Sequence, residues 1–225
     1  MIATIAIPAR PAHANKEVKP VLRDLASGVR FIFGHPVIGF VILSIAAGTF
    51  AISAFGSLIA VYVRDVLHAN SVLFGALGSA IGAGMLAGGF VVMPLARRIQ
   101  QKAHLITAGI LLCGVCIAAI ARIPNSAAAL VGCTGIGVGA SLLTIAAATL
   151  LQGQVPVEVR GRVSSSSMSL ISISQGVALL FAGDLASRFG IAAVFYGSAA
   201  LLLLIAIAGT FRLRKPLAAA KAQAA

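Results

Sequence analysis

Apolar residues run along this chain in six long blocks, and the charged residues fall between them. No Lys, Arg, Asp or Glu occurs in 31–63, 66–96, 103–121, 123–157, 163–183 or 189–211, and the shortest of these blocks has 19 residues. A bilayer core of about 30 Å is crossed by roughly 20 helical residues at about 1.5 Å each. Strands of a membrane barrel would be about ten residues long and would alternate strictly, and these blocks do not alternate. Backbone groups in lipid must find their hydrogen bonds within the segment, so the blocks predict helices. The expected spans are 37–62, 71–94, 104–121, 127–150, 164–184 and 190–211. Together they define an all-α integral membrane domain over residues 36–212.

The flanks divide further. Residues 1–17 read as a leader or as the end of a linker between two halves. Met1–Ile7 is too short for a signal-peptide core and has no basic residue before it. In 18–35, Val18, Val21, Leu22, Leu25, Val29, Ile32 and Phe33 follow helical spacing, with Lys19, Arg23, Asp24 and Arg30 between them. That spacing predicts an amphipathic helix on the membrane surface rather than a plain linker. Pro36 suits the first turn of the first span, where its missing N–H costs nothing. Residues 213–225 form a tail.

Composition agrees with the pattern: 60% of the 225 residues are hydrophobic, 10% are charged, and mean hydropathy is +1.05. A soluble domain has about a quarter of its residues charged, and a disordered chain is poor in apolar residues. The net charge of +12 then needs a location. Arg10, Lys16, Lys19, Arg23 and Arg30, then Arg97, Arg98 and Lys102, then Arg160 and Arg162, and finally Arg212, Arg214, Lys215 and Lys221 all flank one side of the membrane. Only Arg64, Arg122 and Arg188 flank the other, so fourteen of 17 basic residues share a side. Positive charge stays inside, which puts both termini in the cytoplasm and the protein in the inner membrane. With every basic residue assigned to a flank, no basic face remains for nucleic acid.

Inside the spans the small and polar residues are unevenly distributed. The second span is glycine-dense, with Gly75, Gly78 and Gly82 at its start, and the fourth carries Gly135 and Gly139. Glycine in a membrane helix lets backbones approach closely, so these five are expected at helix–helix contacts. Thr49, Ser53 and Ser57 form an i, i+4, i+8 stripe on the first span. Thr134, Ser141 and Thr144 fall to one side of the fourth, and Ser172 and Gln175 lie in the fifth. These eight are the candidates for a substrate cavity, with interhelical packing as the competing explanation for each. Spans three and six have few polar residues, which predicts an interior lined by spans one, two, four and five, with three and six toward lipid. Gln175 stands out because an amide deep in a span needs a partner or water.

Reactive chemistry is sparse. Cys113 and Cys116 have metal or redox spacing but lie mid-span with no histidine nearby, and Cys133 is alone, so the three read as small packing residues. No catalytic residue, metal site or cofactor is read from the sequence. An intramembrane enzyme lacks its mid-span histidine, and no Asp or Glu lies mid-span to mark a proton relay.

The loop Val155-Pro156-Val157-Glu158-Val159-Arg160-Gly161-Arg162-Val163 runs into a serine-rich helix, then Gln175-Gly176 and Ala182-Gly183-Asp184-Leu185-Ala186-Ser187-Arg188-Phe189-Gly190. This resembles the C-terminal half of a major facilitator superfamily transporter, in particular the bacterial exporters that include the enterobactin exporter and macrolide and drug efflux proteins. That group carries a similar RGR loop between its tenth and eleventh helices. Asp24-Leu25-Ala26-Ser27-Gly28-Val29-Arg30-Phe31 is similar to its central loop, and Val61–Leu67 with Phe74–Gly84 is similar to its seventh and eighth helices. The resemblance implies six helices built as two inverted three-helix repeats. It also implies alternating access and efflux of small amphipathic molecules such as drugs or siderophores, as an antiporter. At the cytoplasmic mouth, Arg97, Arg98, Arg160, Gly161 and Arg162 are expected to serve the gate or the topology, with the arginines able to meet helix C-termini or acidic headgroups. One departure stands out: the superfamily's G-x-x-x-D-R/K-x-G-R/K-R/K signature lacks its acid here, where Gly89 leads through Pro94 to Arg97 and Arg98.

Twelve helices make that transporter, and this chain has six. Its expected partners are therefore the lipid bilayer, a small-molecule substrate, and either a separate N-terminal half or a second copy. In the second case the chain is a self-contained six-helix protein that forms a homodimeric pore or transporter.

Overall fold

A computed structural model describes residues 36–98, 102–154 and 157–222. The leader, the surface helix expected over 18–35 and the end of the tail lie outside the described residues, as do the side chains of Arg97, Arg98, Arg160 and Arg162. Six helices follow in order: α1 (Pro36–Asp65), α2 (Ser71–Arg98), α3 (Lys102–Arg122), α4 (Ser126–Gln154), α5 (Val157–Phe189) and α6 (Ile191–Ala222). Each contains a stretch long and apolar enough to cross a membrane.

Two boundaries differ from expectation. The Arg160-Gly161-Arg162 segment, expected in the fourth loop, is helical: α4 runs to Gln154 and α5 begins at Val157, the residue after Pro156 in the sequence. Proline tolerates only the start of a helix, and past it nothing in Val157–Val163 breaks the turn. Likewise α6 continues past the membrane into the tail.

Local chemistry makes the turns at the opposite end. The Asn125 side chain accepts from Ala127 N–H at 2.9 Å, and that of Asn70 from Leu73 N–H at 3.3 Å. Both are N-caps that satisfy amides left open by helix geometry. A single residue, Gly190 at φ 85, separates α5 from α6. Its N–H returns to Ala186 O at 2.9 Å, an αL helix ending that suits glycine.

The helices pack in the order α2, α4, α3, α6, α1, α5, each lying along the next. Exchanging α1 with α4, α2 with α5 and α3 with α6 reverses that order onto itself, as two inverted three-helix repeats require. The core is aliphatic with an aromatic centre: Phe195 lies 4.8 Å from Phe55 and 5.3 Å from Tyr62 between ring centroids.

Within the six-helix body, burial differs between the two spans expected toward lipid. α3, expected toward lipid, is with α1 among the most buried helices, since it packs on α4 and α6 together. Among its described side chains the exposed ones are the stripe Ala108, Leu111, Val115 and Ala119, continued by Arg122 at the helix end. The edge helices α2 and α5 are the least buried.

Candidate functional site

The two edge helices each touch the body along one narrow stripe. On α5 the buried positions are Val163, Ser166, Ser167, Ala178 and Ala182, and on α2 they are Leu77, Gly84 and Gly88. Most of the other described positions on each helix are exposed.

On α5, Phe181 and Leu185 border α6. Ser172 lies nine residues before Phe181, so at about 100° per residue it faces the opposite way. Ser172 and Gln175, about 60° apart around the helix, are both exposed. Among the described residues the Gln175 amide has no hydrogen-bond partner. It sits 14 residues from the Phe189 end of α5, or about 21 Å along the axis. An unpartnered amide at that depth is costly in hydrocarbon.

On α1 the stripe Thr49, Ser53, Ser57 is half-buried and shares its face with exposed Gly56 and Ala60. Buried Phe55 and Tyr62 occupy the other face. Thr49 Oγ1 donates to Ile45 O and Ser57 Oγ to Ala54 O at 2.9 Å. The Thr49 and Ser57 hydroxyls are thus satisfied by their own helix and keep acceptor capacity for water or a ligand. Thr144 on α4 does the same, donating to Ala140 O at 2.7 Å while exposed.

Thr134 and Ser141 do not join this surface. Ser141 is buried, and its Oγ lies where a Cβ on Gly88 would stand; Thr134 O likewise blocks a Cβ on Gly84. The two belong to the α2–α4 contact, because the face of α4 that they share meets the glycine stripe of α2.

The glycines are corrected in the same way. Around Gly75, Gly78 and Gly82 a Cβ would meet nothing within 4 Å, so these three face open space in this chain. Gly84 and Gly88 make the close approach to α4 instead. Gly135 abuts Cys116 Sγ, and a Cβ on Gly139 would lie 2.8 Å from Gly109 O, so both stand in the α3–α4 contact. Cys113 and Cys133 are buried in the same region, with Cys113 Sγ 3.6 Å from Ile136 O, and all three cysteines are free. No cluster of three or more metal-ligating side chains occurs among the described residues.

Charge collects at the ends of helices. Arg64 pairs with Asp65 at 2.6 Å, and Arg188 with Asp184 at 3.0 Å. Gly161 is exposed on the first turns of α5. Sequence reasoning missed two features: the bond from Tyr62 to Ile120 O, and an apolar cavity between α1, α5 and α6. Pro124, four residues after Ile120, signalled the first.

A family model described as the Major Facilitator Superfamily matches residues 1–179 and 41–225. The chain is 26% identical over 207 residues to an uncharacterized MFS-type transporter, YfmI, of Bacillus subtilis (strain 168), covering 90% of this chain and 51% of that protein. It is 28% identical over 198 residues to the multidrug efflux pump Tap of Mycolicibacterium fortuitum, covering 87% and 48% respectively. The chain thus spans about half the length of the curated relatives it matches. With a family model covering it from end to end and six membrane-spanning helices in inverted repeats, this chain belongs to the major facilitator superfamily, a family of multi-pass membrane transporters.

Proposed function

We propose that this chain is one half of an exporter that moves small amphipathic molecules across the inner membrane by alternating access, with both termini in the cytoplasm. The open surface bearing Thr49, Ser53, Ser57, Thr144, Ser172 and Gln175 is one wall of its cavity. A separate N-terminal half supplies the other wall. The observation that carries this reading is Gln175, an exposed amide without a described partner about 21 Å into α5. A surface of apolar groups, hydroxyls and one amide suits drug-sized amphipathic substrates, including hydrophobic drugs and siderophores. The name of the M. fortuitum relative supports the efflux direction. Mid-span acids are absent from this chain's sequence, so ion coupling falls to the other half.

Removing the reading frame from its native host tests the proposal. The expected result is raised accumulation of a fluorescent amphipathic cation and lower tolerance on a toxin panel. The wild-type chain restores both, and Gln175→Leu changes which compounds are tolerated. Unchanged accumulation and tolerance across the panel would contradict it.

A further inference from the structure

The cavity between α1, α5 and α6 lies on the side of α5 away from Ser172, and its meaning is independent of what completes the open face. It holds about 200 Å³, and Ser198 is its only polar side chain. Its floor is Phe50 and Ala54 of α1. Phe181 and Leu185 of α5 form one wall, and Ala193, Gly197 and Leu201 of α6, spaced i, i+4, i+8, form the other.

Shape and position identify the occupant. The lining runs from Phe189 to Ala178 on α5, about 16 Å at 1.5 Å per residue, and from Ala193 to Leu201 on α6, about 12 Å. Half of a bilayer core is about 15 Å. The groove is therefore one leaflet deep, parallel to the helices, and starts at the helix ends. Its volume is below the roughly 300–1,000 Å³ of pockets that hold drug-sized ligands, and an apolar cavity of this size stays dry. At its mouth, Arg188 directly precedes the lining residue Phe189 and is exposed at the end of α5. Asp184 engages Arg188 through Nε, with distances of 3.0 and 3.1 Å. The terminal guanidinium nitrogens make no bond to a described residue, and a phosphate can take them in charge-assisted bonds. An exposed ion pair contributes little, so sharing Arg188 costs little.

We propose that this groove binds one acyl chain of a phospholipid from the leaflet at the Arg188 end, with the lipid phosphate on Arg188. Apolar burial gives no net drive in lipid, so retention rests on packing against the groove walls and on the headgroup contact. A seated chain fills the space between α5 and α6.

The test uses the full chain in vesicles of phosphatidylethanolamine and phosphatidylglycerol containing a trace of phosphatidylglycerol with a photoactivatable diazirine in its acyl chain. Adducts are mapped by peptide mass spectrometry. Those at Phe181, Leu185, Ala193 and Gly197 are expected to exceed those at exposed Leu86 and Leu204 several-fold. Gly197→Leu should remove the excess, since a Cβ there meets nothing within 4 Å and the side chain fills the groove. If that variant fails to insert, Ala193→Leu serves the same purpose. Arg188→Gln should lower the yield while leaving the adduct positions unchanged. Even labelling of all exposed apolar positions, or an excess that survives Gly197→Leu in folded protein, would overturn the proposal. So would protection of the groove in the wild-type chain, which would mean that a protein surface covers it.

Discussion

The hydroxyl of Tyr62 on α1 donates a buried 2.9 Å hydrogen bond to the backbone carbonyl of Ile120 in the last turn of α3. In a continuing helix that carbonyl would accept from the N–H four residues on. Here that residue is Pro124, which has no N–H. Tyr62 supplies the missing donor and ties the ends of two helices together.

Tyr62→Phe keeps the ring against Phe195 but leaves a buried acceptor unpaired, which costs about 1–3 kcal/mol. Thermal unfolding in nanodiscs should register the loss. In a Pro124→Ala background, where an N–H at 124 can serve Ile120, the same change should cost less. Equal losses in both backgrounds would mean that the proline is irrelevant to the bond.

The glycines make a second contrast. Gly84→Ala and Gly137→Ala drive a Cβ into the backbone at Thr134 O and Ile81 O, so both should destabilise the folded chain. Gly75→Ala, Gly78→Ala and Gly82→Ala meet open space, and helix propensity should leave them neutral or more stable by about 0.5–1 kcal/mol. Unfolding midpoints of the five variants decide the matter, and equal losses at Gly78 and Gly84 would refute the assignment.

These glycines also show where sequence reading stops. The six helices were legible because a bilayer forces both length and apolarity on a span. Which side of a glycine-rich helix meets a neighbour depends on register, and Gly78 and Gly84 look alike in the sequence. Thr134 and Ser141 passed for cavity residues because a hydroxyl that bonds its own helix suits a packed contact as well as a wet one. α3 passed for a lipid-facing helix because lipid and a helix–helix core select the same apolar residues. The helical start of α5 was hidden by Arg160-Gly161-Arg162, whose polarity reads as a loop although it continues the helix beyond the apolar stretch.

Cys113 and Cys133 are buried against α4 and α3, respectively. A membrane-permeant maleimide should label both slowly in folded protein and fast after denaturation. Rapid labelling of the folded chain would show that the α3–α4 contact opens.

Arg160 and Arg162 are proposed to hold the cytoplasmic end of the gate. Replacing both with Gln should reduce efflux without changing the inserted topology, measured by protease access to the termini. Full efflux with intact topology would rule out the gate role, and altered topology would leave them as orienting charges.

The central claim is that the surface of Ser53, Thr144 and Gln175 is the wall of a water-filled cavity. Single cysteines at these positions, with Cys113, Cys116 and Cys133 replaced by Ala, can be probed in native membranes with a small, charged thiol reagent. Ile173 and Leu204, which are exposed apolar positions, serve as lipid-facing references. The account predicts labelling at 53, 144 and 175, slowed by an amphipathic substrate, and none at 173 or 204. Equal inertness at all five positions would show that the polar face is dry and would contradict the account.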